Sequence, residues 1–464
     1  MKQTKLALKA LFGLFVTIAV ALGKAANDYI FNYQALTGQV LFANSFSKEE
    51  RVAFEDLLEG FQDALVLSRA CSVYRTDQSD MERTKDIIWR PQPYIVASFL
   101  GSDQTANFGD KTQLSVPASI NIQRSVPWKL TATELRDALQ ENRLLTAAKQ
   151  KLGSDINVAL NNLACLQGSL VVKRTVACTG FDDVAQAEAV MNEQGIVYED
   201  RFMGLSTRDY NGAASNLAAR GTVAGKVVTA YEHALVGEGV ANFDIFKMDY
   251  TPRQNAATAT GVVVNGANQF FTPSAGTTDV NGGQVNTDNR FQTVAITVGA
   301  STVKAGDCFT IAGVNAVHHI TKADTGQLKT FRFVSFTSGG GATGNMVITP
   351  PIISAQGATA AEVQYQNVTA TPANGAVITF LNTATAALNP FWQKDALEIL
   401  PGRLMPPADG GVDVMRGTTD QGFELVMTKQ FDINTYQTKF RVDTYFGVVN
   451  KQPQMSGVIL FSQV

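Results

Sequence analysis

The side chains that could carry chemistry in this chain are few and scattered. No two of the four cysteines form a C-x-x-C pair, which argues against a zinc knuckle or a thioredoxin-like site. Cys165 lies in an apolar helical pattern that predicts a buried thiol. His318 and His319 are adjacent, so a strand would point them to opposite faces, and ordinary strand or loop residues are favoured over a metal-ligand pair.

Known catalytic motifs are also missing from the sequence. Ser338–Gly344 (SGGGATG) resembles a phosphate-cradling loop, but no Lys-Ser/Thr pair follows it, so a hairpin turn is predicted instead. There is no nucleophile elbow, no H-E-x-x-H and no calcium loop. The sequence therefore predicts no catalytic residue, no cofactor and no metal site, as expected of a structural protein.

Composition and charge narrow the class of protein. The chain has 464 residues, of which 45% are hydrophobic and 17% charged, which is typical of a globular protein with two or three domains. Its 38 basic residues are balanced by 41 acidic ones, whereas a protein that grips DNA phosphates usually has a basic excess. Contact with nucleic acid is therefore predicted to be weak and non-specific.

An acidic helix is predicted near residue 50. Ser47-x-x-Glu50 is a capping box, and apolar residues then recur at helical spacing: Phe54, Leu57, Leu58, Phe61 and Leu65. The opposite face carries an acidic strip, which consists of Glu55, Asp56, Glu59 and Asp63. Acids four residues apart repel one another, although acids near a helix N-terminus suit its dipole. The strip is therefore either a solvated face or a docking surface for a basic partner.

An extended loop is predicted to follow this helix. Pro91 and Pro93 exclude a helix from residues 86–99, and Leu114–Ile122 alternates like a strand. Residues 92–124 then form a long hairpin loop with a polar tip. It contains too little apolar material for its own core, so we expect it to lie on a neighbouring molecule.

A mixed body of helices and strands comes next. Thr131-x-x-Glu134 is a second capping box that opens a helix reaching about Gln167, and its apolar stripe consists of Leu145, Leu152, Ile156, Ala159, Leu163 and Leu166. Gly168-Ser169 ends this helix before a strand at Leu170–Val172. Asp182–Gln194 is predicted to be a further helix.

The composition changes between Thr251 and Phe380, where only 11 of 130 residues are charged. Alternating segments separated by turns predict an inserted all-β domain of barrel type; the segments are Thr258–Val264, Gln292–Val298, Cys308–Val314, Thr330–Phe336, Met346–Ile348 and Glu362–Val368. Mixed structure resumes near Asn389 and ends in strands at Phe440–Val448 and Gly457–Phe461.

The N-terminal residues allow two interpretations. Three lysines precede an apolar run from Ala10 to Gly23, a pattern that by itself favours a secretory signal peptide. The same residues also form an amphipathic helix that would have to be buried in a partner subunit or a membrane surface. In that second interpretation the apolar side chains clamp the assembly, and the candidates are Leu11, Phe12, Phe15, Ile18 and Leu22.

Several stretches, in order along the chain, resemble the coat proteins of the Salmonella phage P-twenty-two type. They are Asp86–Pro91 (DIIWRP), Leu130–Asp137 (LTATELRD), Ala147–Val172, Val285–Phe291 (VNTDNRF), Lys304–Val314, Asn389–Ile399 (NPFWQKDALEI) and Tyr445–Val448 (YFGV). Two of them, Leu130–Asp137 and Ala147–Val172, resemble the spine helix of that family and the strand after it. The resemblance covers roughly residues 50–460 and does not extend to the N-terminal residues.

The resemblance implies an α+β Hong Kong 97-type capsid fold with an inserted β domain. It divides the chain into an N-terminal extension (1–46), an arm (47–85), an extended loop (86–129), a spine helix and body (130–250), the β insertion (251–380) and the return to the body (381–464). It implies a phage coat protein whose copies form pentamers and hexamers of an icosahedral shell. Its partners would be a scaffolding protein, a portal at one vertex and packaged double-stranded DNA, first in the host cytoplasm and then in the virion.

Under this interpretation the function resides in interfaces. The acidic strip is the candidate scaffold-binding surface, and the candidates for contacts between subunits are Asp103, Asp110, Asp279, Asp288 and Arg290. For each of these residues an ordinary solvated charge is the alternative. Two other functions also stay open: an encapsulin-like compartment shell, or a secreted β-rich adhesin or enzyme if residues 1–23 are a signal peptide.

Overall fold

The computed structural model describes residues 46–74, 87–93, 95–96, 102–103, 105, 108, 111–131, 134, 143–219, 239–299, 303–340, 342–404 and 412–464. These residues divide into two compact units. Unit 1 contains the described residues of 1–62, 123–152 and 403–444, and unit 2 contains those of 63–122, 153–402 and 445–464.

The helices and strands follow one another in a mixed order. In the first part of the chain they are α1 (Lys48–Ala64), β1 (Ser72–Val73), β2 (Ile88–Pro91), β3 (Ser115–Ala118), β4 (Ile122–Thr131), α2 (Arg143–Gln167), β5 (Leu170–Lys173), α3 (Phe181–Glu193), β6 (Arg201–Ser206), α4 (Thr207–Ala219), β7 (Asp244–Met248) and β8 (Arg253–Gln254). The middle part contains β9 (Val263–Val264), β10 (Gly276–Thr278), β11 (Gln284–Asn286), β12 (Gln292–Thr297), β13 (Cys308–Val317), β14 (Asp324–Gly340), β15 (Thr343–Thr349), α5 (Ala360–Tyr365) and β16 (Ile378–Phe380). The last part contains β17 (Ala386–Ala387), β18 (Asn389–Gln393), β19 (Leu397–Pro401), β20 (Asp413–Thr418), β21 (Glu424–Asp432), β22 (Gln437–Asn450) and β23 (Ser456–Leu460).

Unit 1 combines an antiparallel sheet with most of helix α1. Strand β21 pairs with β20 on one side and with the first half of β22 on the other. The apolar face of α1 is buried as predicted, with Phe54 at 4%, Leu57 at 2% and Phe61 at 0% exposure. The amphipathic spacing of α1 therefore positions Glu55, Asp56 and Glu59 away from the core.

The body of unit 2 is a five-stranded sheet in the order β5-β23-β18-β6-β7. The outer pairs β5–β23 and β6–β7 are parallel, while β18 is antiparallel to both of its neighbours. Every residue of β18 and β23 is buried, so both faces of these two strands are covered, and the polar Asn389, Gln393 and Ser456 are buried with the apolar residues. Val184, Met191 and Tyr210 of α3 and α4 belong to the same core cluster as Phe391 of β18.

The β region of unit 2 is a closed barrel. Its strands pair in the order β16-β13-β14-β15-β12-β9. A bridge between Val263 and Val377 joins the two ends, where Ile378 N donates to Val262 O at 3.0 Å. Phe309, Phe331 and Phe333 fill the interior together with aliphatic side chains. The expected barrel is confirmed, and the described residues on either side of the predicted turn pair as a hairpin, Ser338 with Gly344 and Gly340 with Thr343.

Three details of the sequence interpretation were wrong. Glu362–Val368 is not a strand, because its first residues belong to helix α5, whose N-cap Thr359 accepts a hydrogen bond from Glu362 N at 3.2 Å. Leu166 does not join the apolar stripe of α2: it is 49% exposed, while Leu160 and Ala164 are buried instead. Leu130 and Thr131, assigned to the spine helix by resemblance, end strand β4.

Other expectations for the body were confirmed. Helix α3 and strand β5 coincide with their predicted segments to within one residue, and Cys165 is the free, buried thiol that was predicted. The other three cysteines, for which burial was not predicted, are also free and buried. Among the described residues, no helix has both the length and the apolarity needed to cross a lipid bilayer.

Candidate functional site

The acidic strip lies on a firmly anchored helix. Ser47 N donates to Glu50 Oε2 at 2.8 Å and Glu50 N donates to Ser47 Oγ at 3.1 Å, which is the predicted reciprocal capping box. Glu50 is also paired with Lys429 Nζ at 2.7 Å and is only 2% exposed. The start of α1 is therefore tied to the sheet of unit 1 by a buried ion pair.

Three of the four carboxylates of the strip are exposed to solvent. Glu55, Asp56 and Glu59 are exposed on the side of α1 opposite to its buried residues, so the structure brings these three together. The side chain of Asp63, the fourth residue of the strip, lies outside the described residues. A rigid helix that presents several acids on one face suits a basic partner, since its side-chain arrangement is already in place before binding.

The base of the extended loop is held by its own subunit. Strands β2 and β3 pair antiparallel, and Arg90 makes a bidentate ion pair with the buried Glu398 at 2.8 and 2.9 Å. Tyr365 of α5 donates its hydroxyl to Thr112 O at 2.8 Å. The described residues at the two ends of the loop are therefore held by contacts with the body, through Arg90, and with the insertion, through Thr112.

The polar tip of this loop is described only in part. Asp103 is exposed, and its carboxylate accepts from Thr105 Oγ1 at 2.6 Å and from Thr105 N at 3.1 Å. These two hydrogen bonds lower the pKa of Asp103, so the side chain stays charged at neutral pH. Asp110 lies outside the described residues.

The charges of the hairpin β10–β11 are separated into two places. Asp279 sits at the turn, where its Oδ1 accepts from Asn281 N at 2.8 Å and from Gly283 N at 2.7 Å, next to the fully exposed Val280. Asp288 and Arg290 form an ion pair at 2.6 Å within the chain. Arg290 also donates to Asn450 O at 3.0 Å. The structure brings Asp288 and Arg290 together and leaves Asp279 apart from them.

Sequence reasoning missed an aromatic groove in unit 1. Trp128 of β4 stacks on Phe440 of β22, with ring centroids 5.8 Å apart and planes 13° apart. The groove has a volume of about 530 Å³, and its lining includes Pro127, Trp128, Lys129, Val412, Lys439 and Phe440. Trp128 lies in an alternating segment, but its partner comes from a distant strand, so no local signal identifies the groove.

A buried basic cluster was missed as well. Lys329 is 1% exposed, and its Nζ donates to Gln194 Oε1 at 2.9 Å and to Gln454 Oε1 at 3.1 Å. Burial, with Lys322 nearby, lowers the pKa of Lys329 to about 7. Burial and the Lys329 charge also hold the pKa of His319 well below its usual value. This cluster lies where the barrel strand β14 meets the body.

The described residues offer little for covalent or metal chemistry. Among them, no three side chains of the His, Cys, Asp and Glu types are grouped to hold a metal ion. Burial raises the pKa of the Cys71 thiol to about 12 and also raises the pKa of the Cys165 thiol, so neither is a ready nucleophile. The clamp candidates Leu11, Phe12, Phe15, Ile18 and Leu22 lie outside the described residues.

Comparisons with known proteins identify the family to which the chain belongs. The family model of the P22 coat protein, gene protein 5, matches residues 42–462. Among solved structures, the Mycobacterium phage Che8 chain is 9% identical, with 83% of this chain and 88% of that chain covered and a TM-score of 0.38. The virus-like particle of Pyrococcus furiosus is 9% identical, with coverage of 89% and 100% and a TM-score of 0.35. The CUS-3 coat protein I-domain is 40% identical, with coverage of 26% and 94% and a TM-score of 0.21.

The family match leaves only residues 1–41 and the last two residues uncovered. It agrees with the collinear stretches quoted above and decides between the phage coat and the two alternative functions. The chain therefore belongs to the P22 coat protein family: it is a major capsid protein of a tailed phage, has the Hong Kong 97-type fold with an inserted β barrel, and assembles with copies of itself into the shell of the virion.

Proposed function

We propose that this capsid protein assembles in the host cytoplasm on a basic scaffolding protein, which binds the acidic strip of α1. The subunits form pentamers and hexamers of a procapsid, with a portal at one vertex, and the shell expands when double-stranded DNA is packaged. The chain catalyses no reaction. Its contact with DNA is weak and non-specific, which is consistent with 38 basic and 41 acidic residues.

The observation that carries the scaffold proposal is the exposure of Glu55, Asp56 and Glu59 on one side of a helix whose other side is buried. Like charges at helical spacing repel one another by a few tenths of a kcal/mol per pair. A basic helix laid along the strip would remove this repulsion. Because a closed shell repeats the contact many times, each single contact can be weak and reversible.

The proposed domain limits are those that the resemblance to the coat protein family implies. We propose that residues 47–85 form the arm, 86–129 the extended loop, 130–250 the spine and body, 251–380 the insertion, and 381–464 the return to the body. The closed hydrogen-bonding ring between β9 and β16 supports the limits of the insertion. Asp103, Asp279, Asp288 and Arg290 are proposed contacts between subunits, and so is Asp110.

The scaffold proposal is tested with the double variant Glu55→Lys/Glu59→Lys. Lysines at the two positions repel each other as the glutamates do, so the helix itself should be little affected. We expect at least tenfold weaker binding of the phage's scaffolding protein, a smaller loss of binding on adding salt, and shells that are absent or aberrant in size. Affinity is measured by titration at several salt concentrations, and shells by negative-stain microscopy.

The matched control is Glu193→Lys/Glu199→Lys, which makes the same change in net charge at two exposed positions of unit 2. It should bind scaffold and assemble as the natural protein does. If the α1 variant binds scaffold with unchanged affinity, the strip is a solvated face. If subunits with an intact strip stay monomeric in the presence of scaffold, the assembly proposal itself is wrong.

A further inference from the structure

The tip of the β21–β22 hairpin, residues 431–436, is an exposed apolar knob. Phe431, Ile433 and Tyr436 are 51%, 77% and 68% exposed. The rings of Phe431 and Tyr436 pack edge to face, with centroids 5.5 Å apart. Single exposed apolar side chains are ordinary on a protein surface, but three at one turn are typical of a surface that a partner covers.

Hydrogen bonds within the hairpin fix the shape of the knob. Asp432 Oδ1 accepts from Asn434 N at 3.0 Å, and its Oδ2 accepts from Lys439 Nζ at 2.9 Å. The bond from Lys439, with further bonds from within the turn, lowers the pKa of Asp432 to about 2. Residues 431–436 include no lysine or arginine, so the knob carries a single negative charge. Its side chains are already in place before any partner binds.

The aromatic groove of unit 1 is an apolar hollow of matching character. Pro127, Trp128 and Val412 are its accessible apolar residues, and the buried Phe440 supports the ring of Trp128 by stacking. Its volume of about 530 Å³ lies within the range of roughly 300–1,000 Å³ that is typical of binding pockets. Tryptophan and tyrosine are enriched at protein interfaces, so the groove and the knob have the composition expected of two sides of one contact.

The charges at the rim of the groove complement those of the knob. The rim has four cations and, among the described residues, no acid: Lys129, Lys429, Lys439 and Arg441. Three of them are paired with acids of unit 1 at 2.7–2.9 Å. Only Lys129 has no acidic partner within the part of the chain that the structure describes. An occupant with an apolar body and one carboxylate therefore fits the groove, and the knob has both.

The knob and the groove lie close together on one subunit. Gln430 and Lys439 pair with each other and line the groove, and Ile433 stands three residues further along, at roughly 10 Å. Because the knob is exposed, it does not fill the groove of its own subunit. Copies joined knob to groove by a plain shift of this size would overlap, since the strands β4, β22, β21 and β20 alone are roughly 14 Å across. The copies must therefore rotate about an axis, and such a contact closes into a small ring.

We propose that the knob of one subunit docks in the aromatic groove of a neighbouring copy. Its aromatic and aliphatic side chains lie against Trp128 and Val412, and Asp432 lies near Lys129. A second copy is the occupant because the chain assembles with copies of itself, on which this inference rests. Three side chains make a contact too small to hold an isolated dimer, but a closed shell repeats it many times.

Photo-cross-linking tests the proposal on assembled shells of the full-length protein. A benzoylphenylalanine replaces the exposed Tyr436, and the cross-linked peptides are identified by mass spectrometry. We expect the main products to join residue 436 to the peptides that contain Trp128 or Val412. In shells assembled from equal amounts of isotopically light and heavy subunits, these products should join unlike chains as often as like ones.

Substitutions on the two sides of the contact test it separately. Val412→Arg places a charge in the groove and should lower the yield of this cross-link at least tenfold, whereas Val197→Arg, at a position 55% exposed in unit 2, should leave it unchanged. Ile433→Ser should lower the temperature at which shells open by several degrees. The urea midpoint of the subunit should stay the same, because the side chain is exposed before assembly. The control is Ile320→Ser, at a position 65% exposed in unit 2, which should change neither value.

Cross-links within one chain, to a scaffolding protein or to another surface of the neighbour would overturn the proposal. So would Ile433→Ser shells that open at the natural temperature. If Val412→Arg forms no shells, the cross-link from residue 436 and the Ile433→Ser shells still decide, because both keep the groove intact. These outcomes are read on shells that have formed, whereas natural subunits that form none with scaffold would refute the assembly proposal instead.

Discussion

The inserted barrel and the sheet of unit 1 are both antiparallel, but they end in different ways. In the barrel the first and last strands meet at Val263 and Val377, so the ring closes on itself. In unit 1 the strand β20 pairs with β21 alone among the described strands, and the β21–β22 hairpin exposes Phe431, Ile433 and Tyr436. A closed ring satisfies its own backbone groups, whereas an open sheet with exposed aromatic residues leaves surface for a partner.

This difference separates two tasks of a shell subunit. The barrel has what it needs to be stable within one chain, because sixteen buried residues form one core cluster around Phe309. Unit 1 carries the features that fit partners: the acidic strip, the aromatic groove and the exposed hairpin. We therefore expect changes in the barrel to act mainly on the folding of the subunit, and changes in unit 1 to act mainly on assembly.

The strongest test of this comparison isolates the barrel. A fragment of residues 251–380 should fold alone, because it contains the whole ring and its core. We expect a dispersed amide spectrum and one cooperative unfolding transition. An undispersed spectrum would mean that the ring depends on the body, and the proposed limits of the insertion would then be wrong.

A single core substitution should have the next largest effect. Phe309 is 0% exposed, and its ring centre lies 4.9 Å from that of Phe333 and 5.8 Å from that of Phe331. Phe309→Ala should lower the free energy of unfolding by about 3–5 kcal/mol, since it leaves a cavity in a packed core. Phe431→Ala, at a position 51% exposed in unit 1, should cost less than about 1 kcal/mol in the same urea titration. Equal losses of unfolding free energy in the two variants would contradict the proposed difference between the barrel and unit 1.

One cation of the barrel, Lys329, is buried where the barrel meets the body. Burial, with Lys322 nearby, lowers the pKa of Lys329 from 10.5 to about 7, so between these pH values the unfolded chain binds a proton that the folded chain has released. Stability should therefore be constant below about pH 7 and rise by roughly 1–4 kcal/mol as the pH increases toward 10. Urea titrations across this range should show the rise.

Lys329→Met should abolish that contribution to the pH dependence, whereas the exposed Lys304→Met should keep it. If stability still rises with pH in both variants, the folded protein keeps Lys329 charged. In the isolated fragment, which lacks Gln194 and Gln454, the pKa of Lys329 should return toward its ordinary value.

Lys329 also shows where the sequence was uninformative. The capping box at Ser47 and the strand at Leu170 could be predicted because a few neighbouring residues determine them. Lys329 looks like an outward residue of an alternating strand, and only Gln194 and Gln454, both more than a hundred residues away along the chain, show that it is buried. The groove between Trp128 and Phe440 depends on distant pairing in the same way.

The error at Glu362 has a local cause. Residues 362–368 alternate well enough to suggest a strand, but Thr359 stands three residues before Glu362 and caps a helix there. The short alternating pattern predicts a strand, whereas the capping residue predicts a helix, and the structure has the helix. The charged candidates were found by type alone, and the sequence could not show that Arg290 is already paired with Asp288.

The smallest effect on the subunit is expected at Asp279. Its Oδ1 holds the turn of the β10–β11 hairpin, and Asp279→Asn keeps that oxygen while removing the charge. The urea midpoint of the subunit should therefore not change.

If Asp279 pairs with a basic residue of a neighbouring subunit, shells of the variant should open at a temperature several degrees lower in low salt. The difference should vanish in high salt, which screens exposed pairs. The control is Glu199→Gln, which neutralises an exposed carboxylate outside the hairpin and should leave the opening temperature unchanged. Equal opening temperatures for natural and Asp279→Asn shells would assign Asp279 to the turn alone and would leave the hairpin's apolar tip at Val280, which is fully exposed in the subunit, as its remaining contact surface.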